Sequence, residues 1–186
     1  TAGQVMTYRG RYVKGWFSAS CGGRTALAKD GLAYKEPEPP YMRSVSCPEA
    51  EVIPDEELYW EKKFTHQELT AALSELGHEI GTVSRMAVAS RSKESHRARE
   101  LKFTGAGGEA TVPGADFRIA IDPQKMRSIW LTDIEHEADG ITMSGRGFGH
   151  GVGLCQWGAH ALAKKGKNPE EIIKHYYPKV KIQKLW

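Results

Sequence analysis

Three cysteines and one histidine are the residues of this chain best suited to binding a metal ion. Cys21, Cys47 and Cys155 are far apart in the sequence, and His150 shortly precedes Cys155. Together they offer four ligands of the thiolate and imidazole type, the number that a closed, structural zinc site needs. A hydrolytic zinc centre is disfavoured, because four protein ligands leave no coordination position for water.

Two other interpretations of the cysteines stay open. An odd number of cysteines rules out a fully paired set of disulfides within the chain, but a single bond between Cys21 and Cys47 is compatible with the sequence. The C-x-x-C spacing typical of structural zinc is absent, which favours the interpretation of the thiols as small buried side chains. No cofactor is required by the sequence, and a structural zinc is the one metal that it suggests.

A run of alternating glycines leads into Cys155. Residues 145–153 read GRGFGHGVG, and an extended strand with this pattern would have one face of bare backbone. Because glycine costs conformational entropy in a strand, we expect another backbone or a ligand to approach this face closely. Residues 155–166 then read as a short alanine-rich helix closed by a glycine. The glycine spacing matches neither the dinucleotide-binding fingerprint nor the P-loop.

The elements that must position these residues form a mixed pattern. Thr65 and Glu68 form a capping box for an amphipathic helix ending at Gly77, and Asn168 opens a helix that runs to about Tyr177. Strands are predicted over residues 4–8, 11–18, 82–90, 100–104, 110–112, 129–134, 140–144 and 180–185. We therefore predict one α+β domain over residues 1–186, with a largely antiparallel sheet, a few short helices and a variable middle at about 51–140.

Length and composition exclude several classes of protein. A chain of 186 residues with 40% hydrophobic content is globular and long enough for a core. The net charge of +3 is spread along the sequence without a basic stripe, which disfavours a nucleic-acid partner. No apolar run approaches the roughly 18 residues of a spanning helix, so no transmembrane segment is predicted.

Four motif blocks give the chain a resemblance to the stage II sporulation protein D / amidase-enhancer (SpoIID/LytB) family. The blocks read FSASCGGRT at residues 17–25, PYMRSV at 40–45, GRGFGHGVGLCQWGA at 145–159 and HYYP at 175–178. They follow one another in the order of the family, and shorter pieces of the middle are similar as well. The resemblance thus covers most of the chain.

The resemblance implies a bacterial cell-envelope protein that acts outside the cytoplasm on peptidoglycan, with a signal or anchor upstream of Thr1. In the sporulation branch it implies a lytic transglycosylase that cuts denuded glycan strands. One carboxylic acid protonates the glycosidic oxygen and then accepts the proton of the sugar 6-hydroxyl, which gives an anhydro product. The catalytic glutamate of the family belongs to a segment upstream of residues 3–5, so no catalytic residue is assigned here.

A second function is compatible with the same resemblance. It is a non-catalytic module that binds glycan, or that activates a cell-wall amidase or another envelope protein, as in the amidase-enhancer branch. Polar-loop glutamates such as Glu36, Glu38, Glu49 and Glu51 are expected to be solvated and do not replace the missing acid.

The motif blocks also supply candidate residues for a glycan-binding groove. These are the hydroxyls of Ser18 and Ser20, the backbone of Gly22, Gly23, Gly149 and Gly151, the hydrogen-bonding side chains of His150 and Gln156, and Tyr177 as a stacking surface. Each has a structural alternative, because the serines can pair strands and His150 and Tyr177 can belong to the core.

Overall fold

The computed structural model describes residues 3–186. The strands are β1 (Gln4–Tyr8), β2 (Arg11–Tyr12), β3 (Phe17–Ser18), β4 (Tyr59–Thr65), β5 (Val83–Arg91), β6 (Ala98–Gly105), β7 (Gly108–Pro113), β8 (Leu131–His136), β9 (Gly140–Arg146), β10 (Leu154–Cys155) and β11 (Lys181–Lys184). The helices are α1 (Ala28–Gly31), α2 (Asp55–Leu58), α3 (His66–Glu75), α4 (Gly114–Ile121), α5 (Gln156–Lys164) and α6 (Pro169–Tyr176), with a 3-10 turn at Glu49–Glu51. The predicted α+β class is confirmed.

The strands form several small sheets instead of one large sheet. Three of them are antiparallel and have the strand orders β11-β1-β2, β4-β9-β8 and β5-β6-β7. The fourth is a short parallel pair of β3 and β10, in which Phe17 lies opposite Leu154 and Ser18 opposite Cys155. This pair brings the motif block at residues 17–25 beside the block at 145–159.

Local sequence signals define the longer helices. At the start of α3 the Thr65 hydroxyl accepts a hydrogen bond from the Glu68 amide at 3.1 Å, and the Glu68 carboxylate accepts one from the Thr65 amide at 2.8 Å. Asn168 and Glu171 form the same reciprocal pair at the start of α6, where Pro169 is the first helical residue. Both predicted caps are confirmed.

Two hydrophobic cores organise the chain. The first packs α3 and α4 against the sheets of the middle of the chain, and Phe64, Leu73 and Phe103 are fully buried in it. The second joins residues from both ends of the chain, including the three cysteines, Val152 and the two tyrosines of the HYYP block. The second core therefore underlies the motif blocks.

The glycine run is not the extended strand that its alternation predicts. Strand β9 ends at Arg146, and Gly147, Gly149, Gly151 and Gly153 have φ angles of +87°, +109°, +71° and +75°. L-residues with a side chain rarely adopt these angles, so the alternate glycines permit a tightly wound loop. The expected close approach of another backbone is confirmed, because a Cβ on Gly147 would lie 2.9 Å from the Gly22 nitrogen.

The remaining differences from the predicted elements are local. The strand expected over residues 11–18 is broken into β2 and β3, and β4 and α4 were not predicted. The strand expected over residues 180–185 is β11, which pairs with β1. Within residues 3–186, no helix is long and apolar enough to cross a membrane.

Candidate functional site

An apolar groove of about 640 Å³ lies between the two ends of the chain. Its walls come from β1, from residues 12–17 and from the start of α5, with Ile173 of α6 beside them. Two aromatic rings face solvent in this groove: Tyr12 is 72% exposed and Phe17 is 58% exposed. Gln156, also exposed, adds an amide to the lining. The groove therefore combines exposed aromatic rings with a hydrogen-bonding side chain.

Tyr177 supports the groove instead of stacking on a ligand. It is only 1% exposed and lines the inner end of the groove. Its hydroxyl donates to the Trp16 carbonyl oxygen and accepts from the Leu154 amide at 3.2 Å. Burial raises the pKa of Tyr177 to about 12. The ring of Tyr177 is buried, so it is not positioned as the predicted stacking surface.

The two predicted serines are also buried. The Ser20 hydroxyl donates to a Glu49 carboxylate oxygen at 3.1 Å, and Ser20 is 1% exposed. The Ser18 hydroxyl is buried and has no hydrogen-bond partner among the described residues. Neither hydroxyl faces the groove as a free donor, so direct sugar contacts by Ser18 and Ser20 stay a prediction.

The glycine loop holds His150 in a defined orientation. Its Nδ1 accepts a hydrogen bond from the Val152 amide at 2.9 Å, which requires that nitrogen to be unprotonated. Burial lowers the pKa of His150 to about 4, and the nearby guanidinium groups of Arg118 and Arg97 act in the same direction. His150 is therefore a neutral imidazole at neutral pH.

Arg97 connects the glycine loop to the first motif block. Its guanidinium is fully buried and donates to the carbonyl oxygens of Cys21 at 2.6 Å and Arg24 at 3.0 Å. A Cβ on Gly151 would overlap this guanidinium, so glycine is required there. Burial lowers the pKa of Arg97. Arg97 thus fixes Gly151 relative to the Cys21-Gly22-Gly23 turn, where the backbones of Gly22 and Gly23 have φ angles of +78° and +103°.

The three cysteines converge, but their fourth neighbour is Glu49. One ligand atom from each of Cys21, Cys47, Cys155 and Glu49 lies within 4.8 Å of all the others. All three cysteines are free and buried, so no bond joins Cys21 and Cys47. Among the described residues, His150 is not a member of this group, because its imidazole faces the loop backbone at Val152. The predicted grouping of His150 with the three cysteines is therefore wrong, because Glu49 lies beside the cysteines instead.

Glu49 is the most unexpected residue of the group, which we call the cysteine cluster. It is 0% exposed, whereas the sequence predicts a solvated loop glutamate. Its carboxylate accepts hydrogen bonds from the Cys21 amide at 3.1 Å and from the Cys155 thiol at 2.6 Å. The C-P-E sequence at residues 47–49 was the available signal, because a glutamate two positions after a cysteine can turn toward the same point.

The thiols of the cysteine cluster differ in acidity. Burial raises the pKa of Cys21. The hydrogen bond from Cys155 lowers the pKa of Cys47, and the hydrogen bonds from Cys21 and Cys47 raise the pKa of Cys155. The three thiols therefore influence one another's pKa through direct contact.

Comparisons with known proteins agree with the motif blocks. A family model described as "Domain of unknown function (DUF8618)" matches residues 53–153. An uncharacterized protein of Brachyspira hyodysenteriae is 32% identical over 179 residues, which are 96% of this chain and 45% of that protein. Stage II sporulation protein D of Bacillus subtilis is 28% identical over 188 residues, 98% of this chain and 48% of that protein.

A shorter match concerns the amidase-enhancer branch. Amidase enhancer of Bacillus subtilis is 37% identical over 68 residues, 37% of this chain and 10% of that protein. The chain belongs to the SpoIID/LytB-like family, and its middle carries the DUF8618 domain. It spans about half the length of the stage II sporulation protein D relatives and of the Brachyspira protein.

Proposed function

We propose that this chain provides the glycan-binding groove of a peptidoglycan-processing protein of the cell envelope, which works as a lytic transglycosylase on denuded glycan strands. The family supports a cell-wall function, since its named relatives are a sporulation protein and an amidase enhancer. The observation that carries the proposal is the groove with its exposed Tyr12 and Phe17. Three of the motif blocks contribute to its lining, through Phe17, Leu154, Gln156 and Tyr177.

The groove is suited to a sugar polymer by shape and chemistry. It is open to solvent, and its lining is mostly apolar with the amides of Gln4 and Gln156 as polar groups. Sugar rings stack their C–H faces on aromatic side chains and need a few hydrogen bonds for orientation.

The groove does not supply a catalytic acid from the described residues. None of its lining residues between positions 3 and 186 carries a carboxyl group. Glu49 is enclosed by the cysteine cluster and cannot reach a glycosidic oxygen. In our proposal the acid belongs to another part of the longer protein, where it protonates the leaving oxygen and then accepts the 6-hydroxyl proton.

A second candidate function is a non-catalytic glycan-binding or amidase-activating module. The amidase-enhancer match and the lack of a carboxyl group among the groove residues described here favour it. The two candidates share the groove and differ in whether a bound strand is cut. Both imply a site of action outside the cytoplasm.

One experiment separates the two candidates. The chain, and a longer form that includes the residues preceding it in the natural protein, are incubated with peptide-stripped glycan strands, and the products are analysed by mass spectrometry. Anhydro-ended fragments from the longer form alone support the transglycosylase. Binding without cutting by either form supports the activator, and cutting by the chain alone contradicts our placement of the acid. If neither form binds glycan, the transglycosylase and the glycan-binding module both fail, and amidase activation is left as the second candidate.

A further inference from the structure

The cysteine cluster joins three parts of the second core. Cys21 follows β3, Cys47 precedes the 3-10 turn that carries Glu49, and Cys155 is the N-cap residue of α5. All four side chains are buried, with Cys21, Glu49 and Cys155 at 0% exposure. We propose that Cys21, Cys47, Cys155 and Glu49 bind one Zn²⁺ ion in a closed, structural site.

The ligand chemistry selects zinc. Thiolates are soft ligands that prefer Zn²⁺ to Mg²⁺ or Ca²⁺, and a carboxylate oxygen is an accepted fourth ligand of zinc. With Zn–S bonds of about 2.3 Å and Zn–O bonds of about 2.0 Å, tetrahedral geometry requires ligand atoms about 3.5 to 3.8 Å apart. The four ligand atoms already lie within 4.8 Å of one another, so they need only small shifts.

Several hydrogen-bond donors around the cluster are directed at its sulfur and carboxylate oxygen atoms. The amides of Cys21 and Gly158 each donate to the Cys155 sulfur at 3.3 Å. The Tyr176 hydroxyl lies 3.3 Å from the Cys47 sulfur, and the Ser20 hydroxyl donates to Glu49. Outer donors of this kind orient metal ligands and stabilise thiolate charge.

Gly158 provides a separate observation, because the absence of its side chain lets the Cys47 sulfur lie close to the backbone of α5. A Cβ at this position of α5 would overlap both the Cys47 sulfur and the Tyr176 hydroxyl. Glycine weakens a helix interior, so its presence in α5 is explained by the close approach of these two atoms. The helix is therefore shaped to the cluster.

A bound cation would also compensate the negative charge of the buried Glu49 carboxylate. A fully buried carboxylate among thiols is costly unless a positive charge compensates it. The nearby Arg97 guanidinium directs its hydrogen bonds to the carbonyl oxygens of Cys21 and Arg24, not to Glu49. Zn²⁺ would supply the compensating charge at the centre of the group. With four protein ligands the ion has no position for water, so its role is structural.

Metal analysis of the purified chain tests this proposal without glycan. Protein made in zinc-containing medium and purified without added metal should carry about one zinc per chain. Exchange for Co²⁺ should produce the sulfur-to-cobalt charge-transfer band and the intense visible bands of a tetrahedral thiolate site. A folded, metal-free protein that also fails to take up Co²⁺ would overturn the proposal, as would a disulfide found by counting thiols after denaturation.

Matched variants assign the fourth ligand. Cys47→Ser and Glu49→Gln should each lower zinc content at least several-fold, while Glu51→Gln, an exposed glutamate in the same 3-10 turn, should keep one zinc per chain. His150→Gln should also keep its zinc, and loss of zinc in that variant would contradict the ligand set. If the ligand variants do not fold, the Co²⁺ spectrum and thiol count of the unmodified chain decide. Glycan binding is measured separately, so either proposal can fail alone.

Discussion

The neutral state of His150 makes the folded chain sensitive to acid. Its Nδ1 accepts the Val152 amide, and burial lowers its pKa to about 4, whereas an unperturbed imidazole titrates near 6.5. Below pH 6.5 the unfolded chain binds this proton and the folded chain does not. The contribution of His150 to the free energy of unfolding therefore falls as the pH decreases from about 6.5 to about 4.

Replacing this imidazole should remove part of the acid sensitivity. Between pH 7 and pH 5 the unmodified chain should lose about 2 kcal/mol more of its free energy of unfolding than His150→Gln does. Urea unfolding at the two pH values measures the difference. The exposed His160 gives the control, since His160→Gln should retain the acid sensitivity of the unmodified chain. Equal acid sensitivity in all three proteins would show that His150 is not held neutral by the fold.

Gly151 tests the contact between the glycine loop and Arg97. Its φ of +71° already disfavours alanine, and a Cβ would overlap the buried guanidinium. We expect Gly151→Ala to lower the free energy of unfolding by about 3 kcal/mol or more, as the sum of backbone strain and overpacking. Gly166→Ala isolates the strain, because Gly166 has a φ of +79° and no described atom within 4 Å of the added Cβ. It should cost about 1 kcal/mol. Similar losses in both variants would contradict the packing role of Arg97.

At the scale of elements, the capping box of α3 links a sequence signal to the stability of the first core. Thr65→Ala removes the acceptor for the Glu68 amide and should lower the free energy of unfolding by about 1 kcal/mol. Gln67→Ala, at an exposed position of the same helix, should change it by less than about 0.5 kcal/mol. Chemical denaturation of the three proteins provides the comparison, and an unchanged Thr65→Ala protein would exclude a contribution from the cap.

Local sequence signals predict some secondary-structure elements of this fold and miss others. The caps at Thr65 and Asn168 and the strands of the middle follow local rules and are confirmed. The glycine run misleads, because alternation alone does not distinguish a strand with a bare face from a loop of positive φ angles. The broken strand over residues 11–18 has a tertiary cause, since β2 pairs with β1 whereas β3 pairs with the distant β10.

At the scale of the whole molecule, the candidate site depends on contacts between distant segments. The cysteines could be identified from the sequence, but the selection of Glu49 over His150 follows from where the 3-10 turn meets α5 and β3. The sequence also does not predict that Tyr12 and Phe17 line the groove, because the groove forms only when the two ends of the chain pack together. The residue types of the cysteines predicted a possible metal site. Contacts between distant segments decided which other residues lie in the cluster and in the groove.

The central claim is that the groove of this chain binds glycan, and a binding titration with peptide-stripped strands tests it most directly. Tyr12→Ala and Phe17→Ala should each weaken binding by about tenfold, because each removes a stacking surface worth about 1.4 kcal/mol. Tyr59→Ala is the matched control, since Tyr59 is 48% exposed and lies outside the groove. Its affinity should equal that of the unmodified chain. Undetectable binding by the unmodified chain, or equal weakening by all three substitutions, would contradict the claim.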